Sequence, residues 1–427
     1  MILTYRILTN LIYPLLLILI FVRKIFNKED PYRFKEKIFI SHFNINRKKN
    51  KKLIWFHAAS IGEFKSIVPI IDELNINNVN LEFLVTTTTL SSGNLAKEQF
   101  DKYDNVYHRY FPIDVDFLIK EFLSLWKPKV IFLVDSEIWP NLIIRAKKNS
   151  IPLALVNARI SSKTFNRWML FPKTAKKIFN MFSLCLASSS ETKKILDKLE
   201  VSNVHFNGNI KLINKINVNN IQNPNDKFLK KNRFWIAAST HVGEEKFCLN
   251  VHMRLKKKHK DIITIIAPRH IERCQKIKNL CENYNLESQI LNKNELILEN
   301  KEIIIINSFG VLNSYFKYVK SAFIGKSIIE KMKNDSGQNP IDAAKLGCKI
   351  YHGPYVSNFK EIYEILKKIN ISKQISNYKD LSDNLITDFK NSPVEDYKIY
   401  NSINDLGQKT LADTMQNINN LLSNEIK

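Results

Sequence analysis

Apolar positions along the chain follow two periods. Short runs such as Leu53–Phe56, Leu81–Thr86, Val130–Val134, Leu153–Val156 and Leu184–Ala187 are almost continuously apolar or β-branched, as strands buried on both faces are. Between them apolar residues recur at helical spacing, for example over Phe117–Trp126 and Glu191–Leu199. The alternation predicts βαβ units around a parallel sheet. From Leu212 to Arg233 the chain turns Asn- and Lys-rich, with Pro224 inside, and beyond it a second series begins. Its strands are expected at Phe234–Ala238, Ile262–Ala267, Ile303–Ile306 and Ala322–Ile324. Two α/β domains joined by a polar linker follow, and 427 residues exceed one ordinary core. No repeat of solenoid period is visible.

The start of the chain has a different pattern. Ile7 to Val22 is apolar but for Thr9 and Asn10, holds Pro14, and is followed by Arg23, Lys24 and Lys28. The run is shorter than the ~20 residues that span a bilayer, so a shallow anchor and a short tilted span both fit. A secretory signal fits less well, because no small-x-small cleavage site follows and only Arg6 precedes the run. The positive flank on the C-terminal side keeps the body in the cytoplasm. Asp30 to Lys37 then reads as an amphipathic segment at the membrane surface, and Asn44 to Lys52 as an Asn/Lys-rich connection.

The net charge of +24 calls for an anionic partner: nucleic acid, an acidic membrane or an anionic substrate. Lys, Asn and Ile are abundant throughout, so compositional bias explains part of it. The lysines are scattered, and no helix-turn-helix, RNA-recognition or zinc signature accompanies them, which argues against nucleic acid. The five cysteines (Cys185, Cys248, Cys274, Cys281, Cys348) form no C-x-x-C pair and read as reduced cytosolic thiols.

Candidate chemistry collects where strands end. After Leu53–Phe56 come Ala58-Ala59-Ser60-Ile61-Gly62-Glu63 and then an apolar helical run. Ser60-x-x-Glu63 has capping-box spacing. A catalytic base could occupy the same place, since a helix N-terminus keeps a carboxylate ionised, and both roles stay open. Asp135-Ser136-Glu137-Ile138-Trp139-Pro140-Asn141, Asn157-Ala158-Arg159-Ile160-Ser161 and Asn207-Gly208-Asn209-Ile210-Lys211 also follow expected strands. Their acids and cations would converge on one crevice. In the second half the corresponding pieces are Ser239-Thr240-His241, Pro268-Arg269-His270, Asn307-Ser308-Phe309-Gly310, Gly325, Gly337-Gln338-Asn339-Pro340-Ile341-Asp342 and Gly353-Pro354. Glycine turns and an arginine suit a phosphate, and an acid suits ribose hydroxyls. Neither a G-x-G-x-x-G nor a Walker loop is present. Asp114-Val115-Asp116 reads as a helix start and not as a metal motif.

In order along the chain, Ser60-Ile61-Gly62-Glu63, Ser136 to Asn141, Asn157 to Ser161, Gly208 to Lys211, Ser239-Thr240-His241, Pro268-Arg269-His270, Gly337 to Pro340 and Gly353-Pro354 closely resemble the 3-deoxy-D-manno-octulosonic acid (Kdo) transferase family of bacterial lipopolysaccharide synthesis. The likeness runs from the anchor to about Leu366. It implies a GT-B glycosyltransferase, an α/β fold of two Rossmann-like domains facing across a cleft. The expected division is an anchor and basic flank (1–30), an acceptor-side domain (31–212), a linker (213–232), a nucleotide-sugar domain (233–400) and a C-terminal helix (401–427). The implied reaction is inverting transfer of Kdo from CMP-Kdo to lipid A precursor (lipid IVA), at the cytoplasmic side of the inner membrane, with no metal or other cofactor.

The resemblance makes Glu63 the general base and places Asp135 and Lys211 where the transition state is stabilised. It makes Pro268, Arg269, Phe309, Gly310, Val311, Asn339, Pro340, Ile341 and Asp342 the CMP-binding set. The chain departs from the family pattern with Asp for Glu at 135 and 342, Val311 for Glu, Lys326 for the second of two glycines, and an insertion before Gly337. A GT-B glycosyltransferase with another donor, and an inactive membrane-bound relative, are the alternatives.

Overall fold

The computed structural model describes residues 2–43, 47, 51–78, 80–101, 103–214, 216, 218–390 and 397–425. Most of the connection expected over Asn44 to Lys52 lies outside them. The chain forms two compact units, Met1–Asn214 with Leu406–Lys427, and Lys215–Asp405.

The first unit is a parallel sheet of β1 (Lys52–His57), β2 (Leu81–Thr87), β3 (Val106–Tyr110), β4 (Val130–Val134), β5 (Leu153–Ala158), β6 (Leu184–Ala187) and β7 (Val204–Phe206). Their order is β3-β2-β1-β4-β5-β6-β7. Alternate residues of β1 serve the two faces. Trp55 packs against Phe122, and Phe56 stacks on Phe132 with centroids 4.7 Å apart. Both faces are covered, which is why the central strands read as unbroken apolar runs. The two edge strands escape the apolar pattern, because β3 carries His108 and Arg109 and β7 is three residues long. The helix Tyr397–Glu425 sends Met415, Ile418, Leu421 and Leu422 into the core beside Ile54 and Phe56.

The second unit repeats the plan with β8 (Phe234–Thr240), β9 (Ile263–Pro268), β10 (Ser288–Leu291), β11 (Ile303–Ile306), β12 (Ser321–Ile324), β13 (Lys349–His352) and β14 (Ser372–Gln374). These run parallel in the order β10-β11-β9-β8-β12-β13-β14. The order reverses between β1 and β4 in one sheet and between β8 and β12 in the other. Ligands bind at such switch points, beyond the carboxyl ends of the strands.

The segment Asp30 to Lys37, expected as an amphipathic surface segment, is partly buried. Arg33–Lys37 is a short 3-10 turn with Phe34, Glu36 and Lys37 buried. Glu36 accepts from Arg33 (2.8 Å), Arg109 (3.0 Å) and the Tyr110 amide (2.9 Å). Lys37 pairs with Glu29 and donates to the Thr88 carbonyl at 2.7 Å. The charges of Arg33, Glu36 and Lys37 are engaged inside the domain, a pairing that local amphipathic spacing does not reveal, while Lys35 is exposed.

Candidate active site

At the end of β1 the chain turns through Ala58 and Ala59 into the helix Ile61–Asn77, whose N-cap is Ser60. Glu63 lies in the first turn. The Ser60 hydroxyl donates to Glu63 Oε1 at 2.9 Å, and the Ala59 amide donates to Oε2 at 2.7 Å. In the usual capping box the glutamate reaches the amide of the N-cap residue itself; here it reaches one residue further back. The carboxylate is thereby fixed at the β1/β4 switch point. Its pKa is pushed up to about 7, first by burial and then by the negative charges of Asp135 and Glu137, against the pull of Ser60 and the Ala59 amide.

Asp135 follows β4 in the left-handed region, with φ +57°. An aspartate tolerates that conformation better than most side chains. Its backbone is tied on both sides: its amide donates to Val156 (3.0 Å) and its carbonyl accepts from Arg159 (3.1 Å). One carboxylate oxygen accepts from Asn157 Nδ2 and the other from Lys211 Nζ at 2.7 Å. Asn157, near the end of β5, also accepts the Ile210 amide at 3.0 Å, and so joins the Lys211 turn to β5. The three catalytic positions read from the sequence thus belong to one unit, and the charge of Asp135 reaches Glu63.

Three further residues complete the cluster. His57, buried at the end of β1, lies over Phe111 with centroids 4.0 Å apart. Its Nδ1 meets Thr86 Oγ1 at 2.9 Å and its Nε2 meets Glu137 Oε2 at 3.2 Å. The Trp139 indole donates to the same Glu137 oxygen at 2.8 Å. Glu137 and Trp139 belong to a strand-end run the sequence singled out. Their convergence with His57 required the β1–β4 pairing.

In the second unit the switch point is built around Glu244. Its buried carboxylate accepts the amides of His241 (2.9 Å), Lys326 (2.7 Å), Ser327 (2.9 Å) and Ile328 (3.3 Å). Burial raises its pKa, and the four amides oppose the rise. The turns after β8 and β12 are thereby fastened together. Gly325 sits in this junction: a Cβ there would lie 2.5 Å from the Ser239 carbonyl oxygen and 2.7 Å from Glu244 Oε2.

Pro268 ends β9, and the amide of exposed Arg269 donates to Thr240 at 3.0 Å. Phe309, exposed, and Gly310, with φ +78°, follow β11, the neighbour of β9. Gly310 and Val311 line a cavity of about 280 Å³ with Asn223, Asn292, Ser308 and Ser314. Asn339 accepts the Ile341 amide at 3.0 Å, Pro340 precedes the short helix Ile341–Lys345, and Asp342 lies in its first turn. Burial lowers the Lys345 pKa to about 8, against the attraction of Asp342. Arg269, Phe309, Gly310, Val311 and the turn Asn339 to Asp342 follow the carboxyl ends of β9, β11 and β12. Asp114-Val115-Asp116 is apart from both sites. Asp116 starts the helix Asp116–Trp126, while Asp114 caps the helix Pro140–Lys148 through the amides of Asn141 and Leu142.

A family model described as 3-deoxy-D-manno-octulosonic-acid transferase (kdotransferase) matches residues 32–214. A probable mitochondrial 3-deoxy-D-manno-octulosonic acid transferase of Arabidopsis thaliana is 32% identical over 86% of this chain and 82% of its own. The 3-deoxy-D-manno-octulosonic acid transferase of Rickettsia bellii (strain RML369-C) is 31% identical over 88% of each chain. Among solved structures, a glycosyltransferase from Rickettsia africae ESF-5 superposes with a TM-score of 0.56 at 13% identity, covering 87% of this chain and 97% of its own. That likeness speaks for the fold alone, a GT-B-like chain of two Rossmann-like domains. The sequence relatives speak for the activity: the chain is a glycosyltransferase and belongs to the 3-deoxy-D-manno-octulosonic acid transferase family.

Proposed function

We propose that the chain transfers Kdo from CMP-Kdo to lipid A precursor (lipid IVA), inverting the anomeric centre, with Glu63 as general base, at the cytoplasmic side of the inner membrane. The observation that carries this reading is the Glu63 carboxylate, fixed at the switch point and titrating at about 7. A base with that pKa combines a substantial ionised fraction with real proton affinity at neutral pH.

In the proposed step Glu63 takes the proton of the acceptor hydroxyl while its oxygen bonds to the anomeric carbon of Kdo. The bond from that carbon to the CMP phosphate oxygen breaks, and its electron pair leaves with CMP. Lys211, held on Asp135, supplies a fixed positive charge near the reacting centre, where fixed charges act most strongly. Arg269 neutralises the single phosphate of the leaving group, and Lys345 and Asp342 lie on the helix that follows Asn339 and Pro340. The cavity beside Gly310 and Val311 receives part of the nucleotide. No divalent ion is required by this scheme, because the leaving group carries only one phosphate ester.

The test is incubation of the full chain with CMP-Kdo and lipid IVA in excess chelator, with the product followed by mass spectrometry and its anomeric configuration by NMR. A product heavier by Kdo, with inverted configuration, is expected. No transfer from CMP-Kdo, with turnover of another nucleotide sugar, would overturn the donor assignment. Transfer that needs added divalent ion would overturn the metal-free step.

A further inference from the structure

The chain begins with two helices, Ile2–Leu11 and Tyr13–Ile25, bent by 56° at the break between them. Among the described residues no single helix is long and apolar enough to cross a membrane. At 1.5 Å per residue the two are about 15 and 20 Å long, against ~30 Å of hydrocarbon.

The inner face of the pair is fastened to the first unit by polar bonds. The Tyr5 hydroxyl donates to Asp114 at 3.0 Å, Arg6 pairs with Asp116 at 2.6 Å, Asn141 donates to Thr9 Oγ1 at 3.1 Å, and the Tyr13 hydroxyl donates to the Ile38 carbonyl at 2.6 Å. Asp114 and Asp116 are themselves buried, and Asp116 also holds Arg145. In the second helix Ile20 packs with Phe34 and Ile38, and Phe21 meets Phe34 edge-on at 5.2 Å.

The outer face is the reverse. Leu3, Ile7, Leu11, Leu15, Ile18 and Val22 recur every three or four residues, and each is 40–74% exposed. Ile25 and Phe26 continue the apolar surface. Lys28, Tyr32 and Lys35 are exposed beside its end, the pairing of cations and an aromatic ring that favours a lipid headgroup layer.

We infer that this helix pair lies in the plane of the membrane as a non-spanning wedge. Its outer stripe enters the acyl chains of one anionic phospholipid leaflet, Lys28 and Lys35 meet the headgroups, and the Asp114–Asp116 contacts hold the wedge on the domain. A spanning arrangement would draw Arg6 toward hydrocarbon and take the Tyr5 hydroxyl from buried Asp114 and the Arg6 cation from buried Asp116, both unfavourable. This inference rests on the proposal that the chain works at a membrane. Its test contains neither donor nor acceptor, so a failure here leaves the transfer reading untouched.

All five native cysteines are buried, so an introduced surface cysteine is the reactive one in the folded full chain. Leu3→Cys and Val22→Cys, each carrying a nitrobenzoxadiazole label, are bound to preformed phosphatidylethanolamine–phosphatidylglycerol vesicles. Both labels should be quenched more by nitroxides near the headgroup than by nitroxides deep in the chains. Both should be bleached by dithionite added outside. Protection of either label from dithionite would show a span and overturn the wedge, and absence of lipid quenching would overturn membrane contact itself. Leu11→Glu combined with Ile18→Glu should weaken vesicle binding by about tenfold or more with an unchanged circular dichroism spectrum. Undiminished binding would remove the outer stripe from the interface.

Discussion

Lys211 places its ammonium 2.7 Å from the Asp135 carboxylate, with Asp135 held in the left-handed region between the ends of β4 and β5. The side chains are 16% and 10% exposed, so the pair is largely shielded from water. Lys211→Met would leave Asp135 short of its cation, which for a shielded pair costs up to about 3–5 kcal/mol and less where water still reaches it. The uncompensated Asp135 charge would also push Glu63 further up. The expected result is a kcat lowered by about 10²–10³-fold, with the acidic limb of the kcat profile moved to higher pH. A limb that does not move would show that Asp135 and Glu63 are electrostatically independent.

Glu137 tests the opposite sign. Its charge is one of the causes that raise Glu63, after burial and Asp135. Glu137→Gln can still accept from Trp139 and removes only that charge. The acidic limb should move to lower pH yet stay above the ordinary 4.5, because burial, the largest cause, is untouched. Titration of kcat against pH for this variant and the parent measures the difference.

Gly325 gives a prediction independent of the chemistry. A Cβ there meets the Ser239 carbonyl oxygen, which is backbone, and the Glu244 carboxylate, which four amides hold in place. Neither can swing aside. Gly325→Ala should destabilise the second unit by about 1–3 kcal/mol, the usual cost of overpacking, and weaken CMP binding. An unchanged denaturation midpoint with unchanged CMP affinity by calorimetry would show that the junction yields.

Arg269 is exposed, and its backbone is fixed through Thr240. If it meets the phosphate, Arg269→Ala should weaken CMP binding by about 1.5–3 kcal/mol, the range for hydrogen bonds to charged groups, with the melting temperature of the free protein unchanged. Equal CMP affinity for the two proteins would take Arg269 out of the site.

What the sequence disclosed and what it hid divide along physical lines. β1 and its turn were readable because a strand buried on both faces is apolar throughout and because Ser60 and Glu63 obey a local spacing rule. Asp135 and Lys211 were visible as polar residues at strand ends. Their partnership was not, since 76 residues separate them and only the order β1-β4-β5 brings them together. The same holds for His57 with Glu137 and for Asp114, which caps a helix 27 residues further on. Strands β3 and β7 were missed because sheet edges tolerate polar side chains such as His108 and Arg109. Asp30 to Lys37 is amphipathic in its local pattern, but the burial of Glu36 and Lys37 was hidden because Arg109 and the Thr88 carbonyl, which they meet, lie far along the chain.

Glu63 carries both a structural and a chemical role, and one substitution separates them. The Ala59 amide and Ser60 hydroxyl give it the part of a capping residue, which glutamine also fills. Glutamine cannot take a proton from the acceptor. Glu63→Gln should therefore lower kcat by about 10²–10⁴-fold while CMP affinity changes little. Stability moves the other way. The folded-state pKa of about 7 lies above the ordinary 4.5, so folding favours the protonated form. That contribution is fully present below pH 4.5 and is lost as pH rises through about 7. At pH 8 the parent holds an ionised, partly buried carboxylate that the glutamine variant lacks, so the variant should melt at the same temperature or higher. The parent should also lose stability between pH 4.5 and 7 relative to the variant. Melting curves across that range, set beside turnover at pH 8, decide the matter. A variant that melts normally and keeps near-parental turnover would reduce Glu63 to a helix cap.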